Sequence, residues 1–136
     1  MKKLVIFACV LLFSSYVQAQ SDCARYHKGY FMFTDSLGNT ILIQRKNKYQ
    51  YQYNRKLKVR TQFSIHWKND CEYTITQTLT NSKALKKYKN SASGYLITKS
   101  DGDNGYYYGC CCKDDVSKRK EVFLKKITKK EFYQLY

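Results

Sequence analysis

The sequence predicts an all-β fold, an antiparallel meander of about eight short strands that closes into a small barrel or packs as a two-sheet sandwich. Three observations carry this expectation. Apolar and polar residues alternate with period two along the middle of the chain. Clusters of Gly, Asn, Asp and Ser interrupt the alternation at short intervals. The composition suits strands, with 14 Tyr and 7 Phe against no Pro and only 6 Gly. Tyr is enriched in strands because its ring covers apolar surface while its hydroxyl stays wet.

Residues 1–19 read as a cleavable signal peptide. Met1-Lys2-Lys3 gives the positive start, Leu4 to Phe13 the apolar run, and Val17-Gln18-Ala19 the small-x-small cleavage site. The run is shorter than the ~20 apolar residues that cross a bilayer, and no second run follows, so no membrane span is expected. Residues 20–136 then form a single β domain, exported to the periplasm or beyond the cell.

Tyr26 to Thr34 is the first strand candidate, ended by the turn chemistry of Asp35 to Asn39. Thr40 to Lys46 follows, and Asn47-Lys48 makes a tight hairpin into Tyr49 to Tyr53. Leu57, Val59, Thr61, Phe63, Ile65 and Trp67 alternate with Lys58, Arg60, Gln62, Ser64 and His66. After the Lys68-Asn69-Asp70 turn, Cys71, Tyr73, Ile75 and Leu79 share the next apolar face. Phe63, Ile65, Trp67, Tyr73, Ile75 and Leu79 are therefore expected to point inward. Asn81 to Ser93 is polar and basic, a loop or one short helix. Gly94 to Ser100, Tyr106 to Cys112 and Glu121 to Thr128 complete the strands, and Lys129 to Tyr136 suggests a short terminal helix.

The meander also predicts a disulfide. Strands one and five begin at the same end of an alternating meander, so Cys23, before the first, is placed beside Cys71, which opens the fifth. Cys110 to Cys112 end the seventh strand at the opposite end. In an exported protein the Cys23–Cys71 pair is expected to be oxidised, and its loop of about fifty residues contributes roughly 3–4 kcal/mol on the chain-entropy estimate.

Several chemistries have no support. The Cys and His spacings match no zinc pattern, so neither a metal nor a cofactor is expected. Catalytic triads, phosphate-binding loops and nucleophile elbows are absent. A secreted basic enzyme acting on an anionic polymer would be built on His66 with Glu72, but two exposed polar side chains beside a turn are the better explanation of that pair. The formal net charge of +15, to which Lys2 and Lys3 contribute two, favours anionic partners. Tyr49, Tyr51 and Tyr53 share one strand face, with Arg45, Lys48 and Arg55 around them. Aromatic faces beside cations make stacking platforms, although a tyrosine ladder packed across strands has the same pattern.

Cys23-x-x-Tyr26-His27-x-Gly29-x-Phe31, then Arg45, then Trp67-x-x-Asp70-Cys71-Glu72-Tyr73-Thr74-Ile75-Thr76 resembles a family of small exported bacterial proteins, some of which carry a DNA topoisomerase IV label. That activity needs a large multi-domain body, which this chain lacks. The resemblance implies export and a compact β fold. Gly29-Tyr30-Phe31 stands where lipocalin-like barrels often have Gly-x-Trp, a likeness at the level of fold. These features together lead us to expect a non-enzymatic binding or structural module. Its partners would be acidic glycans or lipid headgroups, with no sequence-specific recognition of nucleic acid.

Overall fold

The computed structural model describes residues 22–110 and 120–136. The expected signal peptide, Cys111 and Cys112 lie outside the described residues. Eight strands form one closed antiparallel barrel in sequence order: β1 Gly29–Thr34, β2 Thr40–Arg45, β3 Tyr49–Asn54, β4 Val59–Trp67, β5 Glu72–Thr80, β6 Ala92–Ser100, β7 Gly105–Cys110 and β8 Val122–Ile127. The barrel closes where β1 meets β8, with Tyr30 opposite Ile127 and Met32 opposite Lys125. Closure excludes the sandwich and leaves no free sheet edge.

Period-two alternation sorts the residues between inside and outside. Phe31, Ile41, Ile43, Ile65, Tyr73, Ile75, Ile97, Tyr106 and Leu124 fill the interior, with Phe63 and Trp67 packed partly buried against them. Little room remains. Among the described residues the interior holds a cavity of about 20 Å³, lined by Arg45, Gln50, Gln52, Tyr73, Tyr95 and Tyr108 among others. That is space for roughly one water. The barrel interior is a packed core. Gly105 shows how tight the packing is: with φ of 138° its α-carbon lies so near the Leu124 carbonyl that any β-carbon would collide with it.

Leu79 departs from the expected inward set, being 61% exposed. Phe63 pairs with Gln77 but Gln62 pairs with Leu79, so Thr78 is an extra residue on β5. This bulge reverses the alternation. Gln77, before the bulge, is buried as the simple pattern has it, but Thr80 comes opposite Thr61 in the place that pattern gave to Leu79, and Leu79 faces out beside Gln62. Leu57 is likewise exposed, because the chain turns between Asn54 and Val59 with Lys58 at φ of 52°.

The first strand also starts later than its apolar run. Asp22–Tyr26 forms a 3-10 turn that plugs one end of the barrel. Cys23 within it is bonded to Cys71, across a sequence separation of 48. This is the pairing expected from the meander. The Tyr26 hydroxyl reaches Ser100 Oγ at 2.7 Å and the carbonyl oxygens of Gly102 and Gly105 at 2.8 Å each. The plug is thus tied covalently to β5 and by hydrogen bonds to the β6–β7 connection. Cys110, at the far end of β7, is itself disulfide-bonded.

A seven-residue helix, α1 (Lys129–Leu135), packs on the outside of the barrel. The Thr128 side chain accepts from the Glu131 N–H, and the Glu131 carboxylate accepts from the Thr128 N–H, the two halves of a capping box. Phe132, Leu42 and Ile127 are buried together beneath it, with Tyr30, Met32, Tyr53 and Leu135 around them. β2 therefore has apolar residues on both faces, the inner one covered by the core and the outer one by α1.

Candidate functional site

Residues proposed from sequence as one surface fall on two sides of the barrel wall. Gln50 on β3 pairs with Phe63 and is buried, so it and Gln52 face inward. Tyr49, Tyr51 and Tyr53 accordingly share the outer face of β3. The Tyr49 and Tyr51 ring centroids are 6.4 Å apart, and Lys46 Nζ lies 5.4 Å from the Tyr51 centroid. Lys48 and Arg55 are exposed at the two ends of this ladder, in the hairpins before and after β3. Lys28, Lys46, Lys48 and Tyr49 line a shallow depression at its plugged end.

Arg45 does not belong to this surface. It follows Ile41 and Ile43 on the inner face of β2 and is only 2% exposed. Its guanidinium donates to Gln50 Oε1 from Nε at 2.9 Å and from Nη2 at 2.7 Å, and to the Tyr26 carbonyl at 2.8 Å. A longer bond reaches Tyr73 Oη at 3.3 Å. The rings of Phe31, Trp67, Tyr73 and Tyr106 surround it at 4.8 to 5.8 Å. Among the described residues no carboxylate pairs with it. Burial works against its charge, but Tyr106 and Tyr73 beside it outweigh that and hold it above its ordinary value. Burial is also the main cause that raises Tyr73, Tyr106 and Tyr108. These three hydroxyls therefore stay protonated at neutral pH.

Tyr26, Phe31, Arg45, Trp67, Cys71 and Tyr73 thus meet at the plugged end, and His27 joins them. Its ring stacks on Trp67 with centroids 3.6 Å apart, and its Nε2 lies 2.9 Å from the Asp70 carbonyl oxygen. These residues assemble a structural plug around a buried cation. His66 and Glu72 are not brought into contact either. His66 is exposed opposite Thr74, and Glu72 takes the Lys68 ammonium at 2.9 Å.

A concavity lies outside the barrel, between α1 and strands β2 to β5. It has a volume of about 480 Å³ and is walled by Tyr51, Tyr53, Leu79, Arg60, Phe132 and Tyr136 among others. Sequence reasoning placed Tyr51 and Tyr53 here but missed three contributors. Tyr136 is brought in by α1, its ring 4.5 Å from that of Tyr53. Leu79 is turned outward by the β5 bulge. The Arg60 guanidinium lies 5.4 Å from the Tyr53 centroid and 4.9 Å from the Tyr136 centroid. The outward parity of Arg60 with Gln62 was readable. The approach of Tyr136 was not, because it depends on where the helix docks.

Among the described residues, no group of three His, Cys, Asp or Glu side chains stands close enough to hold a metal ion, and no helix is long and apolar enough to cross a membrane. Comparison with protein-family models, curated proteins and solved structures gives no match, so the chemistry of the site rests on its geometry.

Proposed function

We propose that this protein is an exported, non-enzymatic binding module that holds anionic polymers, acidic glycans first among them, on the outer face of β3 and the groove beside it. The observation that carries this reading is the tyrosine ladder with cations at both of its ends. Lys46 and Lys48 stand at one end, and Arg60 is laid on Tyr53 at the other. Aromatic faces hold a chain by its rings while cations neutralise its charge, a combination that tolerates sequence. The packed interior supports an external site, since it has no room for an apolar guest. An exported protein meets acidic glycans and lipid surfaces more readily than nucleic acid.

The test is titration of the oxidised protein with heparin-type glycan, anionic vesicles and DNA at low and physiological salt. The reading expects glycan binding that weakens steeply with salt. Duplex DNA would show a log–log slope near −0.9 per phosphate contacted and no sequence preference. Tight, salt-insensitive binding to one DNA sequence would refute it. Turnover of a polymer, lost on replacing His66 or Glu72, would establish the enzymatic alternative.

A further inference from the structure

Arg60 is held in place by its backbone and by two aromatic rings. Its backbone is fixed: the N–H donates to Asn81 Oδ1 at 2.8 Å, and the carbonyl accepts from the Asn81 N–H at 3.2 Å and from Thr80 Oγ1 at 3.2 Å. Its side chain is laid against two rings that are themselves 4.5 Å apart. Yet among the described residues its guanidinium makes no hydrogen bond and no ion pair. A planar fork held by stacking, with its N–H edge open, is pre-organised for a bidentate oxyanion.

The groove beside it selects for the rest of the ligand. Tyr51 on β3 is flanked across the strands by Gln44 on β2 and Gln62 on β4. Both amides use their nitrogen within the fold, Gln44 Nε2 donating to Tyr30 Oη at 3.2 Å and Gln62 Nε2 donating to Thr78 Oγ1 at 3.2 Å. Their carbonyl oxygens are left as acceptors on either side of an aromatic face. Acceptors around a ring platform suit a ligand rich in hydroxyl donors and disfavour a second oxyanion at that position. The volume of about 480 Å³ is of the size that encloses small ligands, for which the usual range is about 300–1,000 Å³.

The geometry points to a subsite for a carboxylated sugar ring, a uronate residue of an acidic glycan. The ring's apolar face lies on Tyr51 and Tyr53, its hydroxyls donate to Gln44 and Gln62, and its carboxylate is held by Arg60. This rests on the proposed glycan-binding reading and adds to it a chemical selectivity that net charge cannot give.

The test uses oligogalacturonate of defined length and its methyl ester, titrated into the oxidised full-length chain by calorimetry. Sulfated heparin-type glycan serves as the general polyanion. The acid is expected to bind about 10- to 100-fold tighter than the ester, the worth of one or two charge-assisted hydrogen bonds. Arg60→Gln should remove that preference and leave most of the heparin affinity. Lys99→Gln, which deletes one charge from β6 on another part of the barrel, should retain the preference. Equal affinity of the wild type for acid and ester overturns the subsite, as does a preference that survives Arg60→Gln. If heparin-type glycan binds while no preference appears, only the subsite fails. If no polyanion binds at all, the broader reading fails with it. Retained near-ultraviolet circular dichroism of Arg60→Gln separates loss of the contact from loss of the fold.

Discussion

Replacing Arg45 with Met should loosen the plugged end of the barrel and lower stability by about 3 kcal/mol. The substitution leaves the Tyr26 carbonyl and Gln50 Oε1 buried without their donor, at about 1–3 kcal/mol for each orphaned group. The four-ring cage loses a desolvated cation, worth about 2 kcal/mol where the charge is held tightly. Against this stands the several kcal/mol that burying an ion costs in the first place, which Met does not incur. Hence the net figure is smaller than the sum of the lost contacts. Urea unfolding of the oxidised protein gives the number, read by fluorescence of Trp67, the single Trp of the chain, which lies 5.5 Å from the guanidinium. A change below about 0.5 kcal/mol, the level of an ordinary surface substitution, would refute the view that this cation ties the plug to the barrel. Arg45→Lys adds a pH signature. The native guanidinium is held above its already high ordinary value, so its contribution is fully present throughout the accessible pH range and is lost only above it. A buried lysine has its pKa lowered from about 10.4. The unfolded state then binds more protons than the native one, and the stability of the variant should rise with pH towards that value.

Three further outcomes are expected. Replacing Cys23 and Cys71 together with Ser should cost about 4 kcal/mol on the chain-entropy estimate for their separation of 48, measured against the wild type under the same oxidising conditions. Leu79→Ser should change stability by less than about 0.5 kcal/mol while Ile75→Ala costs about 2–5 kcal/mol, since the bulge puts only the second inside; equal losses in the urea midpoint would mean that the bulge is absent in solution. The Glu131 carboxylate is held below its ordinary range chiefly by the Thr128 N–H and hydroxyl. Its stabilisation of α1 is thus present above the ordinary carboxylate value and lost as pH falls through the lowered one, and Thr128→Ala should raise the Glu131 titration seen by NMR.

The strands and the disulfide were legible because they depend on local alternation and on the parity of a meander. The eight strands, the terminal helix and the Cys23–Cys71 pair all follow from counting positions. Arg45 misled because β2 reads Ile41-Leu42-Ile43, apolar on both faces. The outer face is covered by a helix that begins more than eighty residues later, so alternation there had no contrast, and a terminal arginine looked like a surface residue. Its parity with Ile41 and Ile43 was the signal that put it inside. Leu79 misled for a different reason. One extra residue reverses every side chain beyond it, and Gln77-Thr78-Leu79 carries no Gly or Pro to mark the place. The groove was half legible: the outward parity of Tyr51, Tyr53, Arg60 and Gln62 is written in the strands, but the wall supplied by Tyr136 is a matter of docking.

The closed barrel also has a history in time. Its seam joins β1 to β8, with Phe31 set against Lys126, so the first strand to leave a ribosome or a translocation pore waits for the last. Folding dominated by such distant pairings is slow, on the order of milliseconds to seconds. During that wait two sheet edges stand open, and an open edge can recruit another chain. The Cys23–Cys71 bond needs only the segment up to the start of β5, so the plug can be locked while the seam is still unmade. At the seam itself β8 brings Lys125 and Lys126 to the edge that stays open longest. Two adjacent like charges hinder pairing between identical copies while still permitting the single intramolecular match with β1.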